Sequence, residues 1–263
     1  MHAVVRRGYT ALGLGQLHWR RCGQGAPLLP LHQSPSSGAM WEPLLPLLAA
    51  GGRLALAPDL PGCGASDGGA AAPRIADYAQ AMLGLADALG WGRFDLLGHH
   101  TGAAVALRMA ADAPQRIGRL VLWGIPLLDD VLAQRLRAER PPRFADEGQE
   151  IAALWARRRQ LAGADFSPAL AVRWMTELLQ CGFTLPWAHW AVVQEDMAAL
   201  LRAVGQPALA LCGPRDPVWP RAREAAGLLR QGRFEAIDGA GLDVADSHTR
   251  RLAELALAFL APT

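Results

Sequence analysis

The sequence predicts an α/β fold: a mostly parallel central sheet flanked by helices, with a helical cap insertion. Three observations predict it. Short apolar runs alternate with amphipathic helical segments along most of the chain, the pattern of parallel βαβ units. The alternation stops once, between about 127 and 204, where the spacing is helical throughout. Finally, Gly98-His99-His100-Thr101-Gly102 carries a strand straight into an Ala-rich helix through a turn with glycine at each end.

Residues 17–21 alternate apolar and polar side chains, as a strand on a sheet edge does. Residues 27–31 form a short apolar run ending at His32 and Gln33. Residues 41–48 have helical spacing, and Gly51-Gly52 stops them. Residues 54–57 read as a buried strand, followed by the turn Asp59-Leu60-Pro61-Gly62-Cys63-Gly64. An amphipathic helix is expected over 75–89, a strand over 93–97, a helix over 103–111 and a strand over 120–123. After the helical stretch the alternation resumes. Strands are expected at 208–212 and 233–237, and helices at 222–229 and 251–260. The reading gives an α/β core of residues 1–126 and 205–263, with a cap of residues 127–204.

At 263 residues the chain is long enough for one such domain with a substantial core. All 26 basic residues are Arg, and the net charge is +2. That balance points to neither nucleic acid nor a membrane surface as partner. The one basic run, Arg157-Arg158-Arg159, reads as a solvated helix face. Cys22, Cys63, Cys181 and Cys212 are scattered, with neither a disulfide framework nor a zinc pattern. Reduced thiols in a cytoplasmic protein are therefore expected. Met1-His2-Ala3-Val4-Val5-Arg6-Arg7 has no apolar signal-peptide core, and no apolar run nears the roughly 20 residues of a membrane span.

Four loops, in order, resemble those of the α/β-hydrolase superfamily. Leu31-His32-Gln33-Ser34-Pro35-Ser36-Ser37, with Trp41, resembles its His-Gly-x-Pro oxyanion loop. Pro58-Asp59-Leu60-Pro61-Gly62-Cys63-Gly64-Ala65-Ser66-Asp67 resembles its Asp-x-Pro-Gly-x-Gly-x-Ser turn. Gly213-Pro214-Arg215-Asp216-Pro217 resembles the loop of the triad acid, and Asp238-Gly239-Ala240-Gly241-Leu242 that of the triad histidine. Gly98 to Gly102 then resembles the nucleophile elbow. The resemblance covers nearly the whole chain outside 127–204. The departures fall on its catalytic positions. His100 stands where the resemblance implies Ser, Cys or Asp; Leu242 stands for the general-base His; Gln33 replaces a small Gly. Asp216 keeps the acid position. A Ser-His-Asp relay needs a hydroxyl, an imidazole and a carboxylate, so with Leu242 in the middle no ordinary relay is expected.

Strand ends in such sheets carry the site, which points to His32, His100, Gly124 and the segment after Cys212. His100, at a helix start that disfavours the imidazolium, is expected to be a reactive neutral imidazole. Asp216 is the second candidate catalytic residue, orienting a water or pairing with Arg215. The backbone N–H groups of Ser34 and Thr101 are expected to form an anion hole. His32, Gln33 and Leu242 shape the site, Gln33 either donating into it or packing against the loop. His99 and His248 are expected to be structural, Asp243 a polar loop residue, and His189 either part of the pocket roof or core. Trp155, Trp174, Trp187 and Trp190 favour an apolar or aromatic ligand where they face the cavity.

These residues support an enzyme acting on a small apolar or aromatic carbonyl compound, by hydrolysis or a lyase-type step. In it His100 is a general base and no metal or organic cofactor takes part. Two alternatives stay open: covalent acyl transfer through His100, and a binding protein without catalysis. Oligomeric state is not readable.

Overall fold

The computed structural model describes residues 4–13, 15–142 and 148–261; Met1, His2 and Ala3 of the N-terminal stretch lie outside the described residues. The strands are β1 (Arg6–Leu12), β2 (Gly15–Cys22), β3 (Ala26–Leu31), β4 (Arg53–Pro58), β5 (Phe94–His99), β6 (Ile117–Trp123), β7 (Ala208–Cys212) and β8 (Gly232–Ala236). They form one sheet in the order β1-β2-β4-β3-β5-β6-β7-β8. β1 and β2 run antiparallel to their neighbours, and the remaining pairs are parallel. The mostly parallel sheet expected from the alternation is present.

The helices are α1 (Leu45–Ala50), α2 (Ile75–Ala88), α3 (Thr101–Asp112), α4 (Asp130–Arg137), α5 (Gln149–Ala162), α6 (Pro168–Cys181), α7 (Trp187–Gln194), α8 (Met197–Ala203), α9 (Trp219–Leu228), α10 (Val244–Ser247) and α11 (Thr249–Leu260). No described helix is long and apolar enough to cross a membrane.

β3, β5, β6 and β7 are buried almost throughout, because helices cover both faces of the parallel part. Successive side chains feed opposite layers. Leu29, Leu96, Leu120 and Leu122 join a core with α2 and α3. Leu28, Leu97, Val121 and Leu209 join a second core with α1 and α11.

Two local expectations are corrected. β2 is not the edge strand, since β1 pairs along its length from Arg6 to Leu12. β1 escaped notice because Arg-Arg-Gly-Tyr-Thr-Ala-Leu buries no residue fully and so lacks an apolar face. Residues 41–48 are not one helix. A single turn at Gly38–Trp41 precedes α1, which starts at Leu45 with a proline in its first turn. Pro46 has no N–H to donate back along a helix that began earlier.

Gly102 governs how closely α3 approaches the sheet. A side-chain Cβ there would fall inside the backbone carbonyl of Leu31 at the end of β3. Gly102→Ala must therefore push helix and strand apart. We expect about 3 kcal/mol of destabilisation in urea unfolding, at the upper end for overpacking.

Candidate active site

The parallel strands stop in register. Leu31 of β3 pairs with Gly98 of β5, and His99 pairs with Trp123 of β6, which pairs with Leu211 of β7. His32, His100, Gly124 and the loop after Cys212 therefore leave the sheet side by side. The chain runs outward from β3 to β4 and then crosses over to β5. This reversal between β3 and β5 opens a crevice of the kind that holds ligands in open α/β sheets.

His100 sits between β5 and α3 with φ 46° and ψ −107°, the one described non-glycine residue with positive φ. Such a backbone costs of order 1–3 kcal/mol and must be held by its surroundings. His100 donates its N–H to the Trp123 carbonyl (3.0 Å) and accepts from the Ala104 N–H (3.0 Å). The turn aims the imidazole at Asp216. His100 Nε2 lies 3.0 Å from Oδ1 and 2.9 Å from Oδ2 of that carboxylate. Asp216 is buried and also accepts from Trp123 Nε1 at 3.0 Å and the Val218 N–H at 3.1 Å. Burial pushes its carboxyl up, but His100, with smaller contributions from His99 and the Val218 N–H, prevails and holds it below the usual value. With Nε2 committed to Asp216, Nδ1 is the ring nitrogen without a partner among the described residues.

Asp216 thus pairs with His100 rather than Arg215, which binds Asp165 and the Gly239 carbonyl instead. Sequence reasoning missed Trp123, whose indole fixes Asp216. Its only signal was a polar-tipped aromatic at the end of a central strand. Gly124 has a clear role: it takes φ +57°, and a Cβ there would collide with the His100 ring.

His32 is fully buried. Its Nδ1 donates to the Gln33 carbonyl (2.7 Å), while Nε2 accepts from the Leu60 N–H (2.8 Å). Burial lowers its pKa, and this bonding pattern fits the neutral ring. His32 ties the loop after β3 to the loop after β4. Ser34, Thr101, Gln33 and Leu242 all line the pocket beside His100. The N–H groups of Ser34 and Thr101 have no acceptor among the described backbone bonds. His99 points away, edge-on to Trp41, Trp123 and the His100 ring. Both its nitrogens are buried without partners, and burial holds its pKa well below the ordinary value. His248 bonds the adjacent Ser247 hydroxyl at 2.8 Å, outside this pocket.

α4, α5, α6 and α7 supply the other wall, through residues such as Leu136, Leu154, Trp174 and His189. The cavity holds about 180 Å³, slightly more than a space that binds benzene. Its surface is mainly apolar but includes Arg135, Arg157 and Glu139. Of the four tryptophans in this stretch, Trp174 alone lines it; Trp155 packs on Phe166. His189 faces two acceptors, Glu139 Oε2 at 2.6 Å and the Ser34 carbonyl at 3.0 Å, and so joins α7 to the loop after β3.

Two expectations fail here. Arg158 is not on a solvated face: it is buried, ion-paired with Asp243 and stacked over Trp174 at 5.4 Å. Asp243 is accordingly a buried partner rather than a polar loop residue. Neither was readable, because the two lie 85 residues apart.

Among the described residues, His99, His100 and Asp216 form a group able to approach one ion, with ligand atoms within 4.8 Å of one another. A zinc-like ion needs bonds of roughly 2.0–2.2 Å. It would displace the donors from His100, Trp123 and Val218 that already occupy Asp216.

A family model described as "alpha/beta hydrolase fold" matches residues 26–175. A 2-hydroxy-6-oxononadienedioate/2-hydroxy-6-oxononatrienedioate hydrolase of Pseudomonas putida is 40% identical over 128 residues, spanning 46% of this chain and 43% of that protein. The 2-hydroxymuconate semialdehyde hydrolase of Pseudomonas sp. (strain CF600) is 28% identical over 251 residues, spanning 91% of this chain and 88% of that protein. Among solved structures, a thermophilic esterase from Thermogutta terrifontis superposes with TM-score 0.78 at 22% identity, covering 97% of this chain and 98% of the other. At that identity the likeness speaks for the fold.

Removing one partner of the Arg158–Asp243 pair strands a buried charge. Arg158→Met should cost about 3 kcal/mol in chemical denaturation. Adding Asp243→Leu should restore most of it, because two apolar groups then meet. A strictly additive loss in the double variant would show that the two side chains do not interact.

Proposed function

The chain belongs to the alpha/beta hydrolase fold family, and from that premise we propose a hydrolase whose working group is a His100–Asp216 dyad in place of a serine relay. One observation carries the reading: His100, a residue that lines a pocket of small-molecule size, has its Nε2 held between both oxygens of Asp216, which leaves Nδ1 without a hydrogen-bond partner among the described residues. Asp216 fixes the tautomer and ring orientation, the service a buried acid performs for a catalytic imidazole.

In the proposed reaction, Nδ1 takes a proton from water as the water oxygen attacks a substrate carbonyl. The developing oxyanion is met by the Ser34 and Thr101 N–H groups, with the positive end of α3 behind Thr101. Collapse of the tetrahedral species breaks the bond to the leaving group, which regains the proton from His100. No covalent enzyme intermediate is needed. The helices of the 127–204 segment act as the cap that keeps bulk water out.

The named activities of the two relatives, both hydrolases of oxo or semialdehyde compounds, support hydrolysis over a lyase step. The apolar lining and the 180 Å³ size suit a single-ring or short-chain carbonyl compound. A second reading, binding without turnover, draws on Leu242, which walls the pocket where the family resemblance implies an imidazole.

A screen of esters, lactones, β-diketones and 2-hydroxy-6-oxodienoates tests these readings. We expect turnover that survives serine-directed phosphonates. His100→Ala should lower kcat/KM by about 10² or more, the worth of a positioned base, and Asp216→Asn should also impair it. Undiminished turnover in His100→Ala would overturn the dyad. Saturable binding with no product in any assay would favour the binding reading.

A further inference from the structure

Ser34 is held through the peptide groups on both sides of its Cα. On the core side, His32 Nε2 accepts from the Leu60 N–H at 2.8 Å, while Nδ1 donates to the Gln33 carbonyl at 2.7 Å. That carbonyl and the Ser34 N–H belong to one planar peptide unit, and the unit is trans. In a trans unit the two groups point in opposite directions. With the carbonyl bound to the fully buried His32 ring, the Ser34 N–H is turned away from it.

The peptide after Ser34 is held from the helical segment between β6 and β7. His189 of α7 places Nε2 3.0 Å from the Ser34 carbonyl. A carbonyl oxygen only accepts, so Nε2 carries a proton and donates it. The ring is fixed at its other nitrogen, where Glu139 Oε2 lies 2.6 Å from Nδ1. Glu139, just beyond α4, also meets Arg157 of α5 at 3.6 Å. One carboxylate therefore links α4, α5 and α7, and the link ends on Ser34. The next side-chain anchors of this loop are Ser36 and Ser37, whose hydroxyls donate to Glu177 of α6 at 2.9 and 2.7 Å.

We propose that His189 is a positioning residue for the anion hole, holding the Ser34 carbonyl so that the Ser34 N–H meets the developing oxyanion. The proposal rests on the hydrolytic reading, which uses that N–H. His32 sets the direction of the N–H, and His189 sets where the loop stands against α7. Without His189, Ser34 is tethered by His32 alone until Glu177 takes hold two residues later. That matters because an oxyanion donor works only within about 2.7–3.1 Å of the developing charge. A displacement of about 1 Å costs roughly 10²-fold in rate. The two halves of the hole are therefore unlike. Thr101 belongs to α3, whose first turn is packed against the end of β3. Ser34 keeps its place only while α7 is seated on the loop.

Three variants separate the two bonds of the ring. His189→Gln carries an amide near the place of Nε2 and keeps a donor for Ser34. His189→Asn carries one near the place of Nδ1 and keeps only the Glu139 contact. His189→Ala keeps neither. We expect kcat to fall about tenfold or more in the Ala and Asn variants, with KM within about threefold of wild type, and to recover largely in His189→Gln. A second measurement needs no substrate, so its outcome is separate from that of the hydrolytic reading. Hydrogen–deuterium exchange of the peptide covering residues 33–37 should quicken in the Ala and Asn variants and stay near the wild-type rate in His189→Gln. Equal exchange of that peptide in all four proteins would overturn the proposal. So would a loss confined to KM in His189→Ala, which is the mark of a substrate contact, or a kcat in His189→Gln as low as in His189→Ala.

Discussion

The site depends on one contact, His100 Nε2 against both oxygens of Asp216. That contact requires a left-handed backbone at His100, and the strain is held by bonds from the turn to β6 and α3. It requires Gly124, because any side chain there would take the space of the imidazole ring. It also requires Asp216 to stay ionised while buried, which His100 chiefly achieves, with His99 and the Val218 N–H, while the Trp123 indole adds a hydrogen bond that fixes the carboxylate. The parallel register brings these groups together by ending β3, β5, β6 and β7 at one level.

The helical segment is attached by charges and hydrogen bonds, many of them buried. Arg158 reaches Asp243, the neighbour of Leu242, and Glu177 takes two serine hydroxyls from the loop after β3. His189 holds the Ser34 carbonyl, so the same loop is gripped from α6 and from α7. Burial of unpaired charge is costly, which makes these contacts specific about where the helices sit.

Much of the fold was legible in advance. Strands buried on both faces are continuous apolar runs, and Leu28 to Leu31 or Leu120 to Trp123 cannot be mistaken for surface. β1 was not legible, because an edge strand without a buried face has no apolar period. In the site, His32 and His100 were named from their places at strand ends, and Asp216, Ser34 and Thr101 from the family resemblance; Ser34, His100 and Thr101 line one pocket, Asp216 sits behind His100, and His32 is buried under the loop after β3. Trp123 was not found, because an indole bonded to a carboxylate looks in sequence like any core tryptophan. Arg158 was misread, because a run of three arginines resembles a solvated face until a distant acid is brought beneath one of them.

The sequence by itself determined the α/β class, the strand-to-helix turn at Gly98–Gly102 and the chemical types available at the strand ends. These are local matters of apolar period, glycine placement and residue identity. Tertiary structure alone decided that the Asp216 carboxylate meets His100 and that Arg158 is buried against Asp243. These contacts join residues 116 and 85 positions apart, and pairings at that separation follow from how sheet and helices pack, which no local pattern encodes.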